Sequence, residues 1–116
     1  MEYETFFDLL DHGEPIRVLA RISALKTQEG GRKGPFGTRY RPNHNFGAED
    51  NRVFYIGQVE VPDGVLVHPG EVVDLRVTFL SGRGLLELLR VGRTWRIQEG
   101  SRCVAMGTVL ALLDED

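Results

Sequence analysis

The sequence has little of what marks a disulfide scaffold, a metal centre or a membrane span. Cys103 is its only cysteine among 116 residues, which excludes an intramolecular disulfide and a cysteine-based zinc site. It lies in the apolar run Cys103-Val104-Ala105-Met106, where a thiol reads as buried and inert. No apolar run approaches the roughly 20 residues that cross a bilayer. Glu2, Glu4 and Asp8 stand where a signal peptide needs positive charge. No membrane association and a cytoplasmic location are therefore expected. His12, His44 and His68 fall in three separate loop regions with no carboxylate or cysteine at ligand spacing, so no metal is expected. His44, between Asn43 and Asn45 and close to a basic loop, is the one histidine worth testing as a site; its plainer reading is an exposed loop side chain. No Ser-His-Asp or paired-carboxylate arrangement stands out. The phosphate loop Gly-x-x-x-x-Gly-Lys-Ser/Thr is absent as well. Gly30-Gly31-Arg32-Lys33-Gly34 lacks that spacing and follows no βαβ unit. A protein that is not an enzyme, holds no cofactor and binds no nucleotide by itself is expected.

What is present is the balance of a single globular domain, 41% hydrophobic and 27% charged. The formal net charge of −3 is unevenly spread. From Met1 to Glu14 every charged residue is acidic (Glu2, Glu4, Asp8, Asp11, Glu14), and the sequence ends on Asp114-Glu115-Asp116. Between Lys26 and Arg41, however, Lys26, Arg32, Lys33, Arg39 and Arg41 face only Glu29. A second basic stretch, Arg90, Arg93, Arg96 and Arg102, is opposed by Glu99. Two local basic patches are implied.

Helical periodicity is confined to Thr5-Phe6-Phe7-Asp8-Leu9-Leu10, which Gly13 and Pro15 terminate. Residues 1–15 thus read as an acidic arm or short helix lying across an edge or end of the main body, residues 16–116. From Ile16 the period changes to two. Ile16, Val18, Ala20, Ile22 and Ala24 alternate with Arg17, Leu19, Arg21, Ser23 and Leu25, the pattern of a half-buried strand. Residues 28–37 form a Gly-rich loop, closed to a central strand by Pro35. Short strands are expected over 40–46, 53–61, 73–79 and 103–113, and the stretches 85–89 and 94–98 read as one strand or two broken near Gly92. Turns fall at Pro62-Asp63-Gly64, His68-Pro69-Gly70, Ser81-Gly82-Arg83-Gly84 and Gly100-Ser101. Gly57 and Gly107 sit mid-strand, where glycine marks a bulge or the coiling that closes a barrel. About six short strands with almost no helix predict an all-β, six-stranded antiparallel closed barrel.

Several of these segments resemble the third, C-terminal domain of elongation factor Tu. They are Glu29-Gly30-Gly31-Arg32, Pro35-Phe36, Tyr40-Arg41-Pro42, Val67-His68-Pro69-Gly70-Glu71, Trp95 to Arg102, and Gly107-Thr108-Val109-Leu110, in colinear order from about Ile16 to Leu113. The resemblance implies a six-stranded antiparallel barrel without the factor's GTPase domain or second barrel. It also implies a non-catalytic module that contacts the backbone of tRNA, or of another RNA. Carried over position by position, the RNA contacts would be Arg32, Lys33, Asn43, Glu99 and Gly100. Ser81 stands where the family has a lysine, and Asn43 where it has a glutamine. Arg39, Arg41, Arg96 and Arg102 would support a basic rim, since Arg and Lys neutralise phosphates while Gly-rich loops let main-chain N–H groups approach them.

Each position has a plainer structural reading. Arg32 and Lys33 fit a solvated loop whose glycines serve the turn, and Tyr40-Arg41-Pro42 fits a structural corner. Arg96 and Arg102 fit cross-strand pairs with Glu99 and Glu60, and Trp95 a core aromatic. The net acidity and acidic termini also fit an alternative function, a protein-interaction module that kept the barrel and lost tRNA binding.

Overall fold

The computed structural model describes residues 13–113. The arm or helix expected over 1–15 therefore lies outside the described residues, apart from its last three.

Six strands form a closed antiparallel barrel in the order β1-β4-β3-β2-β5-β6. They are β1 (Ile16–Ala24), β2 (Asn43–Asn45), β3 (Tyr55–Val59), β4 (Val72–Phe79), β5 (Thr94–Glu99) and β6 (Arg102–Leu113). The alternation read along β1 is the observed one: Val18, Ala20, Ile22 and Ala24 are buried while Arg21 is exposed. Val59, Val77, Phe79, Trp95, Ile97 and Val109 come from the other walls to complete one apolar core. Removing that apolar surface from water is the main force holding the strands in register.

Closure has a local cause. The register of β6 slips by one residue against β1 at Leu110 and again against β5 at Val104. These are β-bulges, which bend a strand and increase its twist. Neither bulge falls on a glycine. Gly57 and Gly107 serve clearance instead: a Cβ on Gly107 would lie 2.5 Å from the Trp95 ring, and one on Gly57 would lie 2.9 Å from Phe79. The mid-strand glycines thus make room for rings inside the barrel.

One stretch departs from expectation. Residues 85–89 contain no strand; Leu85–Leu88 is a single helical turn, entered through Gly84 at φ 80°. Leu85 and Leu89 are buried and Leu88 is partly buried against the core. Their i, i+3, i+4 spacing places all three on one helical face, which an extended strand would have split between two.

The barrel has two distinct ends. β1, β3 and β5 run toward one, where residues 25–42, residues 60–71 and the Gly100-Ser101 turn connect the strands. At the opposite end Arg17 pairs with Leu113, so the described chain begins and finishes there.

Candidate functional site

The connections at the first end form one rim. β1 leads into it through a short 3-10 turn, Thr27–Glu29, whose Gly30 takes φ 96°. Gly31 then turns so tightly that a Cβ would lie 2.1 Å from the Leu25 carbonyl oxygen. Only glycine fits there, so the pair Gly30-Gly31 builds the loop's base. Phe36 bridges to Val67, Tyr40 bridges to Val59, and the Phe36 and Tyr40 rings stack with centroids 4.2 Å apart. Phe36 is itself buried, and it closes the core at this end.

Arg32 is the bracket of the rim. Its Nε donates to the Gly34 carbonyl at 3.1 Å and Nη2 to the Pro35 carbonyl at 3.1 Å, while Nη1 donates to the Glu99 carboxylate. The guanidinium also lies over the Tyr40 ring, 5.3 Å from its centroid. Tyr40 donates its hydroxyl to the same Glu99 carboxylate at 2.5 Å. Burial, reinforced by that carboxylate, pushes the Tyr40 phenol above its ordinary range. Burial acts to lower the Arg32 pKa, but the hydrogen bond and charge of Glu99 outweigh it and the net shift is upward. Arg102 completes the clamp: its Nε donates to the Gly30 carbonyl at 2.9 Å and Nη2 to the Gly31 carbonyl at 2.7 Å. Two arginines thus bind the Gly-rich loop to the β5–β6 hairpin.

The Arg32 and Glu99 side chains are 29% and 38% exposed, so their attraction is partly screened. A double-mutant cycle over Arg32→Ala and Glu99→Ala is expected to return a coupling of about 1 kcal/mol in urea unfolding. Strict additivity would show that the two act separately.

The structure gathers most of the positions read from the sequence at this end. Arg32, Lys33, Arg39, Arg41, Asn43, Glu99, Gly100 and Arg102 all belong to the rim segments or the strand ends beside them. Their circumstances differ. Arg32 and Glu99 bind each other, Asn43 is half-buried in β2 opposite Ile56 and Gln98, and Gly100 forms the hairpin turn at φ 61°. Lys33 and Arg39 are exposed. Arg41 is also exposed, donating to the Gln58 side chain at 2.8 Å, and Gln58 donates on to Glu60 at 2.7 Å. Arg96 lies apart from the rim, bonded to the Gly47 carbonyl at 3.1 Å. Arg102 does stand opposite Glu99 in the β5–β6 ladder, but its guanidinium, like that of Arg96, bonds main-chain carbonyls in place of the expected carboxylates. A guanidinium fork meets such carbonyls wherever a loop folds back over the sheet.

Two residues of β2 do more than the sequence suggests. His44 is fully buried, inside β2 and not in a loop. Its Nδ1 accepts from Trp95 Nε1 at 3.0 Å and its Nε2 donates to the Gly57 carbonyl at 3.0 Å. This places a neutral imidazole as a crosspiece between β5, β2 and β3. It is therefore no external site, and Trp95 is likewise a core aromatic, 2% exposed. The second is Asn45, which sequence reading passes over and which gathers the connection after β2. It accepts from Gly47 N and Asn51 Nδ2 at 2.8 Å each, and donates to the Ala48 carbonyl at 3.0 Å and to Gln98 at 2.6 Å. All of its hydrogen-bonding capacity is used, as burial demands. The Asn45-Phe46-Gly47 run carries the signal of a side chain bonding main chain two residues on.

Charge is partitioned along the chain. All 14 Lys and Arg residues lie between residues 13 and 113 with 10 of the 17 acidic ones; the other seven acidic residues are in 1–12 and 114–116. Among the described residues, no group of three His, Cys, Asp or Glu could hold a metal ion, and no helix is long and apolar enough to cross a membrane. No protein-family model matches the chain.

Proposed function

We propose that this chain is a non-catalytic binding module whose working surface is the loop-bearing rim, and that it takes the phosphate backbone of an RNA. tRNA is the class suggested by the resemblance to the C-terminal domain of elongation factor Tu. The observation that carries this reading is the convergence of Lys26, Lys33, Arg39 and Arg41 on one end of the barrel, none of them in an ion pair among the described residues. The described chain enters and leaves at the other end, which keeps the attachment points of the acidic residues 1–12 and 114–116 away from the rim.

Division of labour follows from the hydrogen bonds. Arg32 and Arg102 spend their donors on loop carbonyls and Glu99, so they shape the rim and Lys33, Arg39 and Arg41 meet the ligand. Three or four phosphate contacts support weak, salt-sensitive binding, with log K falling by about 0.7–0.9 per contact for each tenfold rise in salt. Binding of labelled, unfractionated tRNA measured from about 50 to 200 mM salt tests this. Lys33→Ala with Arg41→Ala is expected to shrink the slope by about 1.5, roughly two contacts' worth. Failure to bind at the lowest salt overturns the reading.

One observation favours a protein ligand as the second reading. Val65 and Leu66, in the rim's facing connection, are 44% and 54% exposed, and apolar side chains ringed by polar ones suit a polypeptide partner. A partner retained at high salt, with no shift of tRNA, would select it.

A further inference from the structure

Arg39 is the single described non-glycine residue with a positive φ, at 64°; six glycines hold the other positive values. This left-handed conformation crowds Cβ against the following carbonyl, so glycine adopts it readily and a long L side chain does not. Asn and Asp are tolerated there because their short polar groups bond nearby main chain, which a guanidinium on three methylenes does not do. The neighbours impose the turn. Tyr40 is held by its stack on Phe36 and by Val59 N–H donating to its carbonyl at 2.9 Å, and Thr38 donates to Asp63 at 3.3 Å.

Folding gains nothing visible from the arginine in return. Arg39 is exposed and has no hydrogen bond or ion pair among the described residues. Arg32 and Arg102 on the same rim, by contrast, tie their guanidinium groups to the fold through three and two hydrogen bonds. A disfavoured backbone state kept by a side chain that the fold does not use is the mark of a residue held for an external contact.

We infer that Arg39 is a ligand-contacting residue of the rim, its guanidinium taking a phosphate of the bound RNA backbone. The inference rests on the RNA reading above, which already names Arg39, and adds that this one contact is held for binding at the expense of stability. The planar fork offers two parallel N–H donors to a phosphate, which a lysine does not reproduce.

Three variants test it, with unfractionated tRNA as the probe. Arg39→Gly is expected to raise Tm by several degrees, since it relieves the turn, and to weaken tRNA binding about 5- to 10-fold at low salt, with the salt slope shallower by about 0.7–0.9. Arg39→Ala, which keeps a Cβ in the same turn, is expected to lose binding equally without the gain in Tm. Arg39→Lys is expected to keep the salt slope and lose part of the affinity. A parent chain that binds tRNA alongside an Arg39→Gly chain that binds it equally well overturns the inference alone. A parent chain that binds no tRNA overturns the RNA reading and this contact with it. No gain in Tm for Arg39→Gly removes the argument from backbone strain.

Discussion

Replacing Gly107 by alanine is expected to destabilise the barrel by about 3 kcal/mol, the upper range for forcing a methyl into a packed core. The added Cβ would lie 2.5, 2.6 and 2.7 Å from three atoms of the Trp95 ring, on the strand directly opposite. Such a clash is relieved cheaply only when the neighbour can move, and this indole cannot. It stacks on Phe46 with centroids 5.2 Å apart, meets Phe79 edge-on at 5.9 Å, and donates its N–H to His44. Shifting it breaks the crosspiece between β5, β2 and β3. The alternative is for β6 to move away from β5, which parts the ladder where Trp95 faces Gly107. For a domain of this size the loss corresponds to a fall in Tm of roughly 10–20 °C, read by calorimetry or by the near-ultraviolet circular dichroism of Trp95. A fall of only two or three degrees would mean that the barrel wall yields far more easily than this packing allows.

That contact shows where sequence reading reaches its limit. The alternation in β1 and β4 fixes which side chains face inward, because a strand has a period of two and the inward face must be apolar. Strand number follows from the same pattern; closure is read from the mid-strand glycines, whose actual part is clearance for rings, while the bulges fall at Leu110 and Val104. The mid-strand position of Gly107 was visible too, but not its reason, since nothing local says that Trp95, twelve residues earlier, lies over it. Residues 85–89 misled for a different cause. A run of leucines carries no β-branched signal, and its i, i+3, i+4 face was the better guide. At the rim, the cations, glycines and Tyr40 were legible as a cluster. The bracket among Arg32, Tyr40 and Glu99 was not, because it joins residues 67 positions apart, and only barrel closure brings β5 to the loop after β1. The strand over 40–46 is legible, but two flanking asparagines make its His44 look solvent-facing, and nothing local marks it as buried. Its burial depends on Trp95 and Gly57, each supplied by a different neighbouring strand.

The same histidine sets the expected response to acid. Burial pushes the His44 pKa down to about 4, against which its hydrogen bond to the Gly57 carbonyl acts weakly. Its two hydrogen-bond partners are the Gly57 carbonyl, which favours the cation only in part, and the Trp95 N–H, which must be given up when Nδ1 is protonated. In the unfolded chain the imidazole titrates near 6.5, so between about pH 6.5 and 4 the unfolded state binds more protons than the folded one. The contribution of neutral His44 to stability is therefore complete above about pH 6.5 and is lost as pH falls. The loss is at most about 1.4 kcal/mol per pH unit, about 3 kcal/mol in all, and nothing more is lost below about pH 4. The carboxylates act elsewhere on the scale. Glu71 is held below its ordinary value chiefly by the His68 main-chain N–H, and Asp74 by its hydrogen bond from Arg21. What they contribute is present above the ordinary carboxylate range and goes only at more acid pH. Urea midpoints followed by Trp95 fluorescence from about pH 7 to about pH 4 are thus expected to fall in the parent chain. In His44→Gln, whose amide can accept from Trp95 and donate to Gly57 without titrating, they are expected to stay nearly level over the same range, from a lower starting stability. Parallel falls in the two chains would show that another group governs the acid response.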